Sequence, residues 1–126
     1  MYLRVPAYLA ETEERARSEL RAVLMRFYQR QAGLAIDSAR RSGGLAAEQR
    51  VRRAERLRSL TYEDALRTQV ICSSPEGFAE RLRGVQQELG LDGILVELNC
   101  GGRIRHERVV NAIRLLCEEV MPEFAE

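Results

Sequence analysis

Gln69-Val-Ile-Cys-Ser-Ser-Pro-Glu76 is the stretch that decides the fold. Its short β-branched run reads as a strand, and it breaks at a hydroxyl cap, a proline for the first turn and an early acid, which together mark a helix start. Phe78, Leu82, Val85 and Leu89 then recur at helical spacing until Gly90 supplies the stop. The unit repeats at once. Gly93-Ile-Leu-Val-Glu-Leu98 reads as a second strand, Asn99-Cys-Gly-Gly102 as a turn, and Val109, Ile113, Leu116 and Val120 as the stripe of a second helix closed by Pro122. Strand, crossover helix, strand, helix predicts an α/β protein with parallel strands.

Upstream, Leu3 to Ala10 has the length and apolar content of a strand, although Pro6 lacks a ladder donor. Thr12 caps a helix with Glu13 and Glu14 in its first turn, and Ala16, Leu20, Val23 or Leu24, and Phe27 carry it to about Arg30, giving a βα unit over residues 1–30. Gln31 to Ala46 lacks periodicity and reads as a long loop marked by Gly33, Gly43 and Gly44. Ala47, Val51, Ala54, Leu57 and Leu60 form a narrow stripe on an arginine-rich helix. That helix reads as a solvated face paired with Glu48 and Glu55, with phosphate or nucleic-acid contact or partner docking as alternatives. Thr61-Tyr-Glu-Asp64 resembles a capping box opening a short helix to about Arg67, so residues 31–67 form a loop and helical insertion, and 68–126 the last two βα units.

The phrases Ser73-Ser-Pro-Glu-Gly-Phe-Ala-Glu-Arg-Leu82, Leu89-Gly-Leu-Asp-Gly-Ile-Leu95, Leu98-Asn-Cys-Gly-Gly102, His106-Glu-Arg-Val109 and Glu118-Glu-Val-Met-Pro-Glu-Phe124 resemble, in order, the C-terminal end of luciferase-like flavin-dependent monooxygenases. Tyr8-Leu-Ala-Glu-Thr12 is similar to a phrase that precedes a helix in the same family. The resemblance implies a TIM barrel, with the three βα units standing for units six, seven and eight and the strands ending at Cys72 and Leu98 side by side. A whole barrel takes on the order of 250 residues, and 126 residues supply only part of one. The family implies a monooxygenase or oxidoreductase using FMN or a deazaflavin. Its sequence pattern has Gly where Ser73 or Ser74 stands, and commonly Pro at Arg105.

Ligands of parallel α/β sheets bind at the carboxyl ends of the strands. Ser73 and Ser74 precede a helix whose free amides suit a phosphate, although plain capping explains Ser74. Gly101 and Gly102 serve either a ligand's close approach or a turn with positive φ, and Asn99 adds an amide. The resemblance makes Ser73, Ser74, Asn99, Gly101 and Gly102 the flavin contacts, with Arg105 and His106 toward the organic substrate. No catalytic residue is assigned: the lone His106 opens a helix as a surface residue, and no GxSxG, P-loop or GxGxxG phrase occurs.

Composition narrows the classes further. The chain is 45% hydrophobic and 31% charged with a net charge of +1, and its 20 basic residues are all arginine. Acids balance them, so no nucleic-acid surface is expected, and a single histidine with cysteines at spacings unlike a zinc site gives no expectation of a metal. No apolar run approaches the roughly 20 residues of a membrane span, and no leader is legible. Cys72, Cys100 and Cys117 read as buried free thiols in a reducing cytoplasm. Parallel strands with open edges predict self-association, or a partner chain that supplies the missing barrel units. The alternative to an enzyme is a non-catalytic oligomerisation or partner-binding module derived from that family.

Overall fold

Ala7, Tyr8 and Leu9 are all buried, which requires cover on both faces of the strand that carries them. That strand, β1 (Tyr2–Leu9), is the middle of a three-stranded parallel sheet in the computed structural model, which describes residues 1–125. Five helices complete an α/β architecture: α1 (Glu13–Arg40), α2 (Gly44–Ser59), α3 (Tyr62–Thr68), α4 (Pro75–Leu89) and α5 (His106–Leu115). Strand β2 (Ile71–Ser73) flanks β1 on one side and β3 (Gly93–Glu97) on the other, with Tyr8 aligned to Cys72 and Pro6 to Glu97. Pro6 thus falls at the last aligned pair with β3, where a missing donor costs least.

This order, β2-β1-β3, differs from the consecutive order of successive barrel units, which would put β2 in the middle and its end beside that of β3. Strand length gives the reason. β1 is long enough to serve two neighbours in succession, pairing Tyr2–Pro6 with β3 and Ala7–Leu9 with β2. Alternation along β1 then divides the core. Tyr8 and Cys72 meet Ala16, Leu20 and Leu24 of α1 with Tyr62 and Leu66 of α3 on one face. Ala7, Leu9 and Ile71 meet Phe78, Ala79 and Leu82 of α4 with Ala112 and Leu115 of α5 on the other.

The insertion is more helical than its sequence suggests. Residues 31–40 belong to α1, and only 41–43 separate it from α2, so the long loop expected from Gln31 to Ala46 is a helical hairpin. Small residues explain both the helix and the failure to see it. Tyr28, Ala32 and Ala39 are buried at helical spacing, Ala54 of α2 is buried too, and the two helices pack together along them. The arginines of α2 form no ion pair with Glu48 or Glu55. Arg50 instead donates to the Ser38 carbonyl and the Ser42 hydroxyl, tying the hairpin turn.

Around α4 the punctuation is as read. Ser74 is the N-cap, Pro75 opens the helix, and Gly90 ends it in the left-handed region at φ 63° with its amide on the Gln86 carbonyl. In α5 the stripe is displaced: Ala112 and Leu115 are buried while Ile113 is exposed. A π-helical turn over Leu116–Val120 then adds a residue and returns Val120 to the core.

Candidate functional site

All three strands point their carboxyl ends to one rim. There Ala10 donates its amide to the Ser73 carbonyl at 3.4 Å, holding the ends of β1 and β2 level. Ser73 is buried, and its hydroxyl occupies the space that a β-carbon on Gly77 would need. Ser74 accepts the Gly77 amide at 3.4 Å, so it works as a cap. Glu13, Glu76 and Glu80 line the cavity around these serines together with Arg17 and Arg81. Both arginines are engaged, Arg17 by Glu13 at 3.0 Å and Arg81 by the carbonyls of Leu66 and Arg67 at 2.6 and 2.8 Å. An anion placed beside Ser73 and Ser74 therefore meets three carboxylates and no free cation.

Across β1 lies the loop after β3. Asn99 accepts the Ile104 amide at 3.1 Å through Oδ1 and the Gly102 amide at 3.0 Å through its carbonyl, so its side chain holds the turn. Gly101 and Gly102 adopt φ of 77° and 69°, a region that explains glycine at both positions. Nothing stands within 4 Å of a β-carbon built on Gly102, whereas one on Gly101 would come within 3.1 Å of the Phe27 ring. Arg105 precedes α5 and its carbonyl accepts the Arg108 and Val109 amides at 3.0 Å each. His106 follows as an exposed first residue of that helix. The serines and the Asn99–His106 loop thus share the rim but flank opposite sides of β1, and they do not converge in one cavity.

A polar network that sequence reading misses bridges the gap between α1 and α5. Glu19, whose side chain is 9% exposed, accepts the Tyr8 hydroxyl at 3.1 Å and pairs with Arg108 at 3.2 Å and Arg15 at 3.8 Å. Arg15 continues to Glu11 at 2.9 Å, and Arg114 approaches Glu11 at 3.9 Å while donating to Asn111 at 2.9 Å. Burial, reinforced by the Glu19 charge, raises the Tyr8 phenol above its ordinary range. The Glu11 carboxyl is held below its usual range by its own backbone amide, helped by Asn111, Arg15 and Arg114. Glu19 and Arg108 lie far apart in the chain, and no linear spacing announces their meeting; the rim phrase from Tyr8 to Thr12 was the only pointer.

The thiols divide. Cys72 and Cys100 are buried, and burial pushes them up to about 12 and about 11, whereas Cys117 is exposed, against the expectation that all three are buried. Iodoacetamide on the native protein is therefore expected to modify Cys117 alone and all three after denaturation, as counted by intact mass. Labelling of two or more native thiols at equal rates would contradict this packing. Among the described residues, no helix is long and apolar enough to cross a membrane. Comparison with known families, known proteins and solved structures gives no match.

Proposed function

We propose that this chain forms the rim of a luciferase-like flavin-dependent oxidoreductase, holding FMN or a deazaflavin and working with βα units contributed by another copy or another chain. The observation that carries the reading is the place of the Asn99–His106 loop. The chain steps from β1 to β2 on one side and then across to β3 on the other, so strand order reverses between β1 and β3, the switch point of an open parallel sheet, where ligands of such sheets bind. Of the five phrases similar to the family, Leu98–Gly102 and His106–Val109 border that gap, whereas Ser73–Leu82 lies on the other side of β1. Bound there, the isoalloxazine would supply the redox chemistry. The exposed Gly102 backbone fits a close approach, Arg105 and His106 are exposed where that loop enters α5, and the acid-lined serine cavity is the poorer seat for a flavin phosphate.

A second reading, a partner-binding module without catalysis, has its own observation. The outer edge of β3 has no strand beside it, Leu95 is 61% exposed and Tyr2 72% exposed on one face, and an apolar groove with Ile94, Val96 and Phe124 runs along the other. Titrating the purified chain into FMN and into a deazaflavin, with light scattering on the same samples, separates the readings. Saturable quenching of flavin fluorescence at one equivalent supports the first. A stable dimer with no quenching at millimolar flavin removes it in favour of the second.

A further inference from the structure

From Leu20 to Ile36, α1 contains no acid, yet it carries Arg21, Arg26 and Arg30. Val23, Arg26, Phe27 and Arg30 are spaced to share one side of the helix, and that side faces the loop at Gly101. Together with Gly101 and Arg103 they line a cavity of about 250 Å³. None of Arg26, Arg30 and Arg103 forms an ion pair or a side-chain hydrogen bond among the described residues, unlike Arg15, Arg17, Arg108 and Arg114 nearby on the same helices. Among the described residues no carboxylate lines the cavity, and Leu98 to Arg105 contributes none. Three exposed guanidinium groups without an acid partner border one small cavity, and an anion with several acceptor oxygens can take forked hydrogen bonds from them. Phe27 adds a flat apolar wall, and glycine at 101 keeps the backbone close to that ring, since a β-carbon there would crowd it at 3.1 Å.

We propose that this cavity is an anion site that binds the phosphate group of a phosphate ester carried on a planar ring, with Arg26, Arg30 and Arg103 on the phosphate and Phe27 against the ring. It is separate from the serine cavity on the other side of β1. If the flavin reading holds, it is the seat of the flavin phosphate, and only that identification rests on the reading; the anion site stands on its own residues.

Calorimetry of the full chain with inorganic phosphate, FMN and riboflavin tests it. Phosphate and FMN are expected to bind saturably and in competition, with riboflavin weaker. Each of Arg26→Gln, Arg30→Gln and Arg103→Gln is expected to weaken phosphate roughly tenfold or more, the scale of one lost hydrogen bond to a charged group. The three side chains are exposed and unpaired, so the thermal midpoint should not move, and the corresponding Arg→Lys variants should retain part of the binding. Arg52→Gln and Arg53→Gln on α2 remove equal charge elsewhere and should change little. Phosphate binding without any gain from the ring in FMN overturns the role of Phe27 and the identification with a flavin phosphate, and reduces the site to plain anion binding. FMN or phosphate affinity undiminished in the triple glutamine variant, or no saturable phosphate binding to the natural chain, overturns the site.

Discussion

Phe78→Ala is expected to lower the unfolding free energy by about 3–5 kcal/mol, the largest loss of any single truncation considered for this chain. Phe78 is 0% exposed and stands on the first turns of α4, where it is the bulkiest side chain in the layer that also holds Ala7, Leu9, Ile71, Ala112 and Leu115. Its neighbours Ala7, Ala79 and Ala112 are too small to collapse into the space, so the lost transfer free energy is joined by the cost of a retained cavity. With a total stability on the order of 5–15 kcal/mol for a domain, that loss removes a large share of the folded population's margin. Leu89→Ala is the internal control. It lies on the same helix and the same sequence stripe, but Leu89 is exposed, so its truncation should cost under about 1 kcal/mol. Urea titrations followed by far-ultraviolet circular dichroism give both values. Equal midpoints for the two variants would mean that α4 does not seat Phe78 against the sheet.

What the sequence makes legible follows from how local each signal is. The helix α4 could be read almost to the residue because Ser74, Pro75 and Gly90 act on their own neighbours through capping bonds and backbone angles. The same holds for α3, where Thr61 accepts the Asp64 amide at 3.1 Å. Parallel strands were legible because strand and helix patterns alternate. Sheet order was not, since it depends on which strand offers enough length and two apolar faces, a comparison among distant segments. The extension of α1 to Arg40 was hidden because its stripe there is alanine, which carries little hydrophobic signal, and Gly33 suggested a break that helix packing overrides, whereas Gly43 and Gly44 do mark the turn into α2. For the rim, residue types at Asn99, Gly101 and Gly102 were visible and their turn geometry now accounts for them. The cluster of Arg26, Arg30 and Arg103 and the Tyr8–Glu19–Arg108 bridge were not, because each joins α1 to the segment after β3 only in three dimensions.

Glu19→Ala should destabilise the protein by roughly 1.5–3 kcal/mol, because it strips a hydrogen-bonded charge from two partners at once. The Tyr8 phenol is buried and loses its acceptor, and Arg108 loses the carboxylate at 3.2 Å that anchors the start of α5 to α1. The exposed pair between Arg17 and Glu13 has a similar distance of 3.0 Å, yet Glu13→Ala should cost under about 1 kcal/mol because water screens it. Alkaline titration distinguishes lost packing from lost electrostatics. Tyr8 has its folded pKa raised, chiefly by burial and then by Glu19, and burial also raises Tyr62 and lifts Tyr28 to about 12. A phenol whose folded pKa lies above its unfolded value of about 10 contributes its full share of stability below that pH and loses it as pH rises through the folded pKa. Denaturation midpoints of the natural chain should therefore be insensitive to these phenols at neutral pH and fall above about pH 10. In Glu19→Ala the fall persists through the burial of all three tyrosines, but the share from Tyr8 shrinks because its neighbouring negative charge is gone. A variant that matches the natural chain in stability at neutral pH, with an identical alkaline profile, would show that Glu19 does not clasp α1 to α5.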